Sequence, residues 1–204
     1  MKTIKYLTRS ITPSKIICVG RNYADHAREL GNQIPEHPVI FLKPNSAITD
    51  QLIAGEANSI HYEGELCFLM GEQGIAGVGF GLDLTKRALQ QQLKTKGLPW
   101  ERAKAFDGSA VFSEFVPCNV DDIAHLWLTL TIDDQEVQRG GVEQMLFSPE
   151  AILANIAAFL TVMPGDIVMT GTPAGVGPVV AGSKFGGNVY CGDKLLVSGE
   201  WQVN

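Results

Sequence analysis

The chain is poor in basic residues. Sixteen Lys and Arg stand against 22 Asp and Glu in 204 residues, a formal net charge of −6. The basic side chains are scattered, which argues against nucleic acid as a partner, since that demands a basic stripe or patch. Cysteine is scarce as well. Cys18, Cys67, Cys118 and Cys191 lie far apart, with no Cys-x-x-Cys pair. Neither a zinc cluster nor a disulfide framework is expected, and reduced thiols in a cytoplasmic protein are. Long apolar runs are missing. The longest, residues 151–163, is interrupted by Asn155 and is too short to span a bilayer. The N-terminus carries Lys2, Lys5, Arg9 and Lys15 without the apolar core of a secretory signal. No membrane partner is expected. Internal repeats and low-complexity linkers are absent too. Residues 170–177 read Thr-Gly-Thr-Pro-Ala-Gly-Val-Gly but lack the Gly-Lys-Ser/Thr ending of a phosphate-binding loop, and no G-x-G-x-x-G is formed, so nucleotide binding is rejected.

What remains is a chain that is 45% hydrophobic and 19% charged, able to bury a sizeable core. One domain over residues 1–204, with its core at about 15–195, fits that length. Residues 15–19 (KIICV) read as a buried strand ending at Gly20. Residues 23–30 read as a short helix stopped by Gly31 and Asn32. Strands are expected at 39–42, 63–70, 126–132 and 167–169, and a hairpin turn at Gly192-Asp193. Helices are expected at 85–96 and from Ser148-Pro149-Glu150 to about Thr161, the latter with an N-cap serine and proline at its first position. Strands outnumber helices and do not alternate with them, which predicts a β-rich mixed α+β fold.

Three carboxylates form the strongest chemical signal. Glu63 and Glu65 are two apart in a strand-like stretch, so they share a face. Leu66, Phe68 and Met70 read as the apolar continuation of that face, with the acids at one end. Burying like charges unpaired is costly; a hard divalent cation removes the cost, and Asp83 adds a third oxygen ligand. The alternative is a solvated strand face, with Asp83 capping the helix near Thr85. His26 and Glu29, at i and i+3 on a helix, are either a general-base dyad or a surface histidine with an ordinary neighbour. Arg21 and Asn22 precede that helix and are placed to hold an anion. Lys104, read with Asp107, either neutralises a substrate carboxylate or forms a surface ion pair. The glycines of 170–177 either let backbone amides approach a ligand or make a tight turn. Gln90, in the Gln90-Gln91-Gln92 run, is the glutamine that can look inward.

Taken together, the segments Gly20–Arg21–Asn22–Tyr23–Ala24–Asp25–His26, Phe41–Leu42–Lys43–Pro44, His61–Tyr62–Glu63–Gly64–Glu65–Leu66, Asp83–Leu84–Thr85 with Arg87 and Gln90, Lys104–Ala105–Phe106–Asp107, and Pro164–Gly165–Asp166 leading into 170–177 resemble the fumarylacetoacetate hydrolase family. Length and the Gly97–Leu98–Pro99–Trp100 segment make the chain most similar to the small acylpyruvase and oxaloacetate decarboxylase-like members. The resemblance implies a mixed β-sandwich roll and a homodimer. It implies that Glu63, Glu65 and Asp83 hold Mg²⁺ or Mn²⁺, that His26 and Glu29 activate water from a lid helix, and that Lys104, Thr172, Arg21 and Gln90 contact substrate. Many family members carry an acid after the arginine matching Arg87, where this chain has Ala88. The segment 179–191 is longer than usual, and the tail after Asp193 is short.

These expectations describe a metal-dependent hydrolase of a small 2-oxo acid, a 3-acylpyruvate-like β-diketo acid. His26 would deprotonate a water, hydroxide would attack the distal carbonyl, and C–C cleavage would leave a pyruvate enolate. Decarboxylation or keto–enol tautomerisation of oxaloacetate needs the same metal and Lys104 but no added water, and can do without His26. Isomerases and decarboxylases of hydroxymuconate-type compounds belong to the same family. A metabolite-binding protein without catalysis is the reading from another class.

Overall fold

The apolar run Lys15–Gly20 forms a strand whose four middle residues are buried, and the larger of two main sheets is built around it. In the computed structural model, which describes residues 1–31, 33–56 and 59–204, this strand pairs antiparallel with Val39–Pro44 and parallel with Ile167–Met169. The sheet continues through Gly64–Gly71, Gly74–Asp83 and Ala110–Phe112 to Ile48–Thr49. A second, antiparallel sheet runs in the order Gln135–Gly141, Leu126–Ile132, Lys184–Cys191, Lys194–Gln202. The helices Ala24–Glu29, Arg87–Thr95, Glu101–Lys104 and Pro149–Ala157 are short. This is the strand-rich α+β architecture expected, with mixed strand directions. Among the described residues no helix is long and apolar enough to cross a membrane.

Alternation along Gly64–Gly71 separates two cores. Leu66, Phe68 and Met70 pack with Val78, Phe80 and Leu82 against Leu128, Phe185, Val189 and Trp201 of the second sheet. Cys67 and Leu69 point the other way, towards Ile16, Cys18, Phe115, Ile167 and Met169. Successive strand residues face opposite sides, so Glu65 belongs with Cys67 and Leu69. The expected continuation of the acidic face through Leu66, Phe68 and Met70 is thereby corrected: the acid sits at the end of the smaller core. Glu63 precedes the strand, which begins at Gly64.

The strand Gly74–Asp83 has no counterpart in the sequence reading. Its glycines weaken strand propensity, yet they make the packing work. A methyl group at Gly77 would lie 3.0 Å from the Tyr6 ring, one at Gly79 3.1 Å from Phe115, and one at Gly81 2.5 Å from Cys67 Sγ. The bare face admits those side chains. The hairpin between Leu126–Ile132 and Gln135–Gly141 was also hidden. It turns on Asp133 and Asp134 with φ of 49° and 64°, the pair of positive values of a type I′ turn.

Boundaries shift for local reasons. The helix expected over 85–96 spans Arg87–Thr95, because Thr85–Lys86 pairs with Ile60–Tyr62. The helix capped by Ser148, whose Oγ accepts from Ala151 N, ends at Ala157 rather than Thr161. The first helix is Ala24–Glu29; Asn32, expected to help stop it, lies outside the described residues. The C-terminal hairpin is paired along nearly its whole length, from Lys184↔Gln202 to Cys191↔Lys194, so the short tail still completes its sheet.

Candidate metal and active site

The three carboxylates meet because of strand pairing. Gly64 pairs with Leu82 and Glu65 with Gly81, and Asp83 N donates to Glu63 O at 2.9 Å. Glu63, Glu65 and Asp83 therefore lie together at one end of the sheet. All three are buried, and each offers an oxygen within 4.8 Å of the others.

Cations surround them. Lys104, the last residue of Glu101–Lys104, is buried, and its Nζ donates to Glu63 Oε2 at 2.8 Å, Asp83 Oδ2 at 2.6 Å and Thr85 Oγ1 at 2.7 Å. Burial disfavours its charge, but the Asp83 and Glu63 carboxylates outweigh that and push the ammonium up to about 12. The expected partner Asp107 is exposed instead. Lys43 is fully buried; its Nζ stands 2.8 Å from Asp83 Oδ1 and donates to the Lys104 carbonyl. Arg87 reaches Glu63 Oε1 at 2.5 Å and Gln90 Oε1 at 2.8 Å. With two anchors, Arg87 is held without an acid at position 88, although its buried Nε has no hydrogen-bond partner among the described residues.

The carboxylates respond unequally. Burial works against the charge on Glu63, but Lys104, Arg87 and His26 overcome it and hold that carboxyl well below its ordinary range. Burial, Asp83 and Glu63 push Glu65 well above it, and Lys104 and the Gly171 amide only partly offset this. A cation would relieve Glu65 of that penalty. Asp83 Oδ1 receives no aligned hydrogen bond despite its burial and the nearby Lys43. An acceptor left open within a cluster of hard oxygen donors fits a hard divalent ion.

The loop at 170–177 closes the other side. Gly171 N donates to Glu65 Oε2 at 2.8 Å. Gly171 has φ +96°, and a side chain there would crowd Asn22 and the Val19 carbonyl. Thr172 Oγ1 donates to Gly64 O at 2.8 Å and accepts from Gln138 Nε2 at 2.9 Å. Its hydroxyl proton is thus committed within the protein. Gln138 also accepts from Gly64 N at 2.9 Å, so this buried glutamine, which the sequence reading passed over, ties the acidic strand to the loop.

His26 is buried on the first helix, with Nδ1 3.2 Å from Glu29 Oε2. A carboxylate at that distance accepts, which places the proton on Nδ1 and leaves Nε2 as the basic nitrogen. Glu29 Oε1 accepts from Gly175 N at 3.1 Å, linking helix and loop. His26, Glu63, Lys104, Arg87, Gln90 and Arg21 line one small cavity of about 30 Å³. Asn22 has a different task from the expected anion contact. It donates to the Thr170 and Phe147 carbonyls and accepts from Phe147 N, pinning the chain just before the helix.

Comparison with known proteins shows the family and the fold. The family model for the C-terminal region of fumarylacetoacetate hydrolase matches residues 15–200. The chain is 39% identical over 189 residues to the oxaloacetate tautomerase YcgM of Escherichia coli, covering 84% of this chain and 86% of that one. A provisional fumarylacetoacetate isomerase/hydrolase from Oleispira antarctica superposes with a TM-score of 0.95 at 38% identity, over the full length of both chains. Fumarylpyruvate hydrolase from Pseudomonas aeruginosa, solved with Mn²⁺ and pyruvate, superposes with a TM-score of 0.87 at 31% identity, over 99% of this chain and 95% of that one. With its acidic hairpin end, its fold and a match spanning nearly its whole length, the chain belongs to the fumarylacetoacetate hydrolase family.

Proposed function

We propose that this protein is a Mg²⁺- or Mn²⁺-dependent enzyme that interconverts the keto and enol forms of a small dianionic 2-oxo acid of the oxaloacetate type. The charge balance of the buried cluster carries this reading. Glu63, Glu65 and Asp83 contribute −3, and Lys43, Arg87 and Lys104 contribute +3. A bound dication leaves an excess of +2, which a dianion cancels, whether oxaloacetate or an acylpyruvate with a second carboxylate, and which a monoanionic acylpyruvate only halves. Uncompensated buried charge is costly, so the site favours two carboxylates. Similarity to the tautomerase from Escherichia coli supports the same choice.

Glu63, Glu65 and Asp83 would hold the cation, which when bound supplies Lewis-acid polarisation of the 2-oxo group. Lys104 and Arg87 set the positive field in which negative charge develops on the substrate oxygens. His26 Nε2 takes the proton from C3 and, as the imidazolium, delivers it to the 2-oxo oxygen; the reverse sequence restores the ketone. Glu29 fixes the tautomer of His26 and steadies the imidazolium that forms. Gln90, held by Arg87, and Arg21 lie at the cavity wall where the second carboxylate would sit.

Hydrolysis of 3-acylpyruvates is the second reading, favoured by similarity to the fumarylpyruvate hydrolase. There His26 would act on water rather than on carbon. Ultraviolet absorbance separates the two. The enol of oxaloacetate should convert faster in Mg²⁺ with protein than without, and the gain should vanish in chelator. Acylpyruvate cleavage with no effect on oxaloacetate enol would reverse the order of the readings.

A further inference from the structure

The small cavity at the acidic cluster and a much larger apolar groove outside it share two walls, Phe41 and Trp100. The groove, about 950 Å³, runs between the edge strand Val39–Pro44 and the segment that carries Leu98 and Pro99. The Phe41 and Trp100 rings lie 6.0 Å apart, tilted by 56°. On the cavity side the Phe41 ring stands 5.2 Å from Lys104 Nζ. On the groove side Leu42 and Leu98 are 40% and 46% exposed. Among the described residues, two aromatic residues are thus all that both spaces have in common as lining.

We propose that Phe41 and Trp100 form a gate that sets substrate length. Closed, it confines the substrate to a short 2-oxo acid whose polar end meets Lys104 and Arg87. Opened, it joins the cavity to an apolar trough suited to the hydrocarbon tail of a longer acylpyruvate. The proposal rests on the 2-oxo acid reading above. The pair acts by shape, not by chemistry: neither ring carries a group that moves a proton. The backbone supports such a role for Trp100, whose carbonyl accepts from Ala103 N at 2.8 Å and Lys104 N at 3.0 Å. That contact starts the turn presenting Lys104 and survives loss of the indole.

Calorimetric binding of oxalate and of N-hexyloxamate to the Mg²⁺-loaded protein tests the gate. Wild type should bind oxalate and discriminate against the hexyl compound. Trp100→Ala should bind N-hexyloxamate at least about tenfold more tightly than wild type, since each methylene taken out of water is worth roughly fourfold. Phe41→Ala should move the same way, which guards against a folding defect in either variant. Adding Leu98→Asp to Trp100→Ala should erase the gain by placing charge in the trough. If both single variants bind oxalate yet take N-hexyloxamate no better than wild type, the gate is overturned alone. If wild type fails to bind oxalate, the 2-oxo acid reading falls and the gate with it.

Discussion

Lys43 Nζ stands 2.8 Å from Asp83 Oδ1, and both side chains are sealed from solvent. Forty residues apart in sequence, they meet because the sheet curls round: Val39–Pro44 runs through Asn45–Ala47 into Ile48–Thr49, which joins Gly74–Asp83 through Ala110–Phe112. The pair makes the acidic cluster tolerable before any metal arrives. Lys43→Met should lower the stability of the metal-free protein by about 3–5 kcal/mol, the cost of stranding a buried charge. Excess Mg²⁺ should recover much of that loss, because the dication takes over the missing positive charge. Urea unfolding with and without Mg²⁺ measures both; an equal loss in the two conditions would contradict the shared role.

Metal uptake should release protons. Burial, with Asp83 and Glu63 nearby, pushes Glu65 well above the ordinary carboxyl range, whereas a cation requires the ionised form. Affinity for Mg²⁺ should therefore rise with pH until Glu65 is fully ionised. Glu65→Gln should flatten that slope and weaken binding. Calorimetry in buffers of different ionisation enthalpy counts the protons; a count of zero would argue against Glu65 as a ligand.

The dyad should matter for turnover and not for the metal. His26→Ala is expected to lower kcat by roughly 10²–10⁴-fold, the usual worth of a positioned base, with Mg²⁺ affinity near that of wild type. Glu29→Gln should cost less, because the amide can still accept from Nδ1 but no longer steadies the imidazolium. Near-wild-type turnover in His26→Ala would remove it from the mechanism.

Asp166 provides an acid-stability test away from the site. Burial opposes its charge, but hydrogen bonds from Lys15, Ser14 and the Met163 amide prevail and hold its carboxyl below the usual range. A lowered folded pKa gives stability that is fully present above the unfolded value, about 3.9, and that is lost as pH falls through the folded value. Asp166→Asn should be destabilised by roughly 2 kcal/mol at neutral pH, with the gap to wild type closing in acid. A gap independent of pH would refute the assignment.

Signals carried by near neighbours were legible in the sequence. Glu63 and Glu65 are two apart, and His26 and Glu29 share one turn, so local geometry alone brings each pair together. The strand Lys15–Gly20 and the Ser148 cap were readable for the same reason. Lys43 was not: on a strand closed by proline it looks like punctuation, and only the sheet carries it to Asp83. Gln138 and Asn22 act on backbone groups distant in sequence, which no spacing rule reveals. Gly74–Asp83 escaped because its glycines suit the rings packed on them, a reason that appears only once those rings are in place.

Anomalous diffraction from crystals soaked in Mn²⁺ and oxalate would test the central claim most directly. One manganese peak should appear with oxygens of Glu63, Glu65 and Asp83 at about 2.1–2.2 Å, with oxalate on its open side towards His26. Manganese bound elsewhere, with Lys104 still bridging Glu63 and Asp83 around an ion-free cluster, would contradict it.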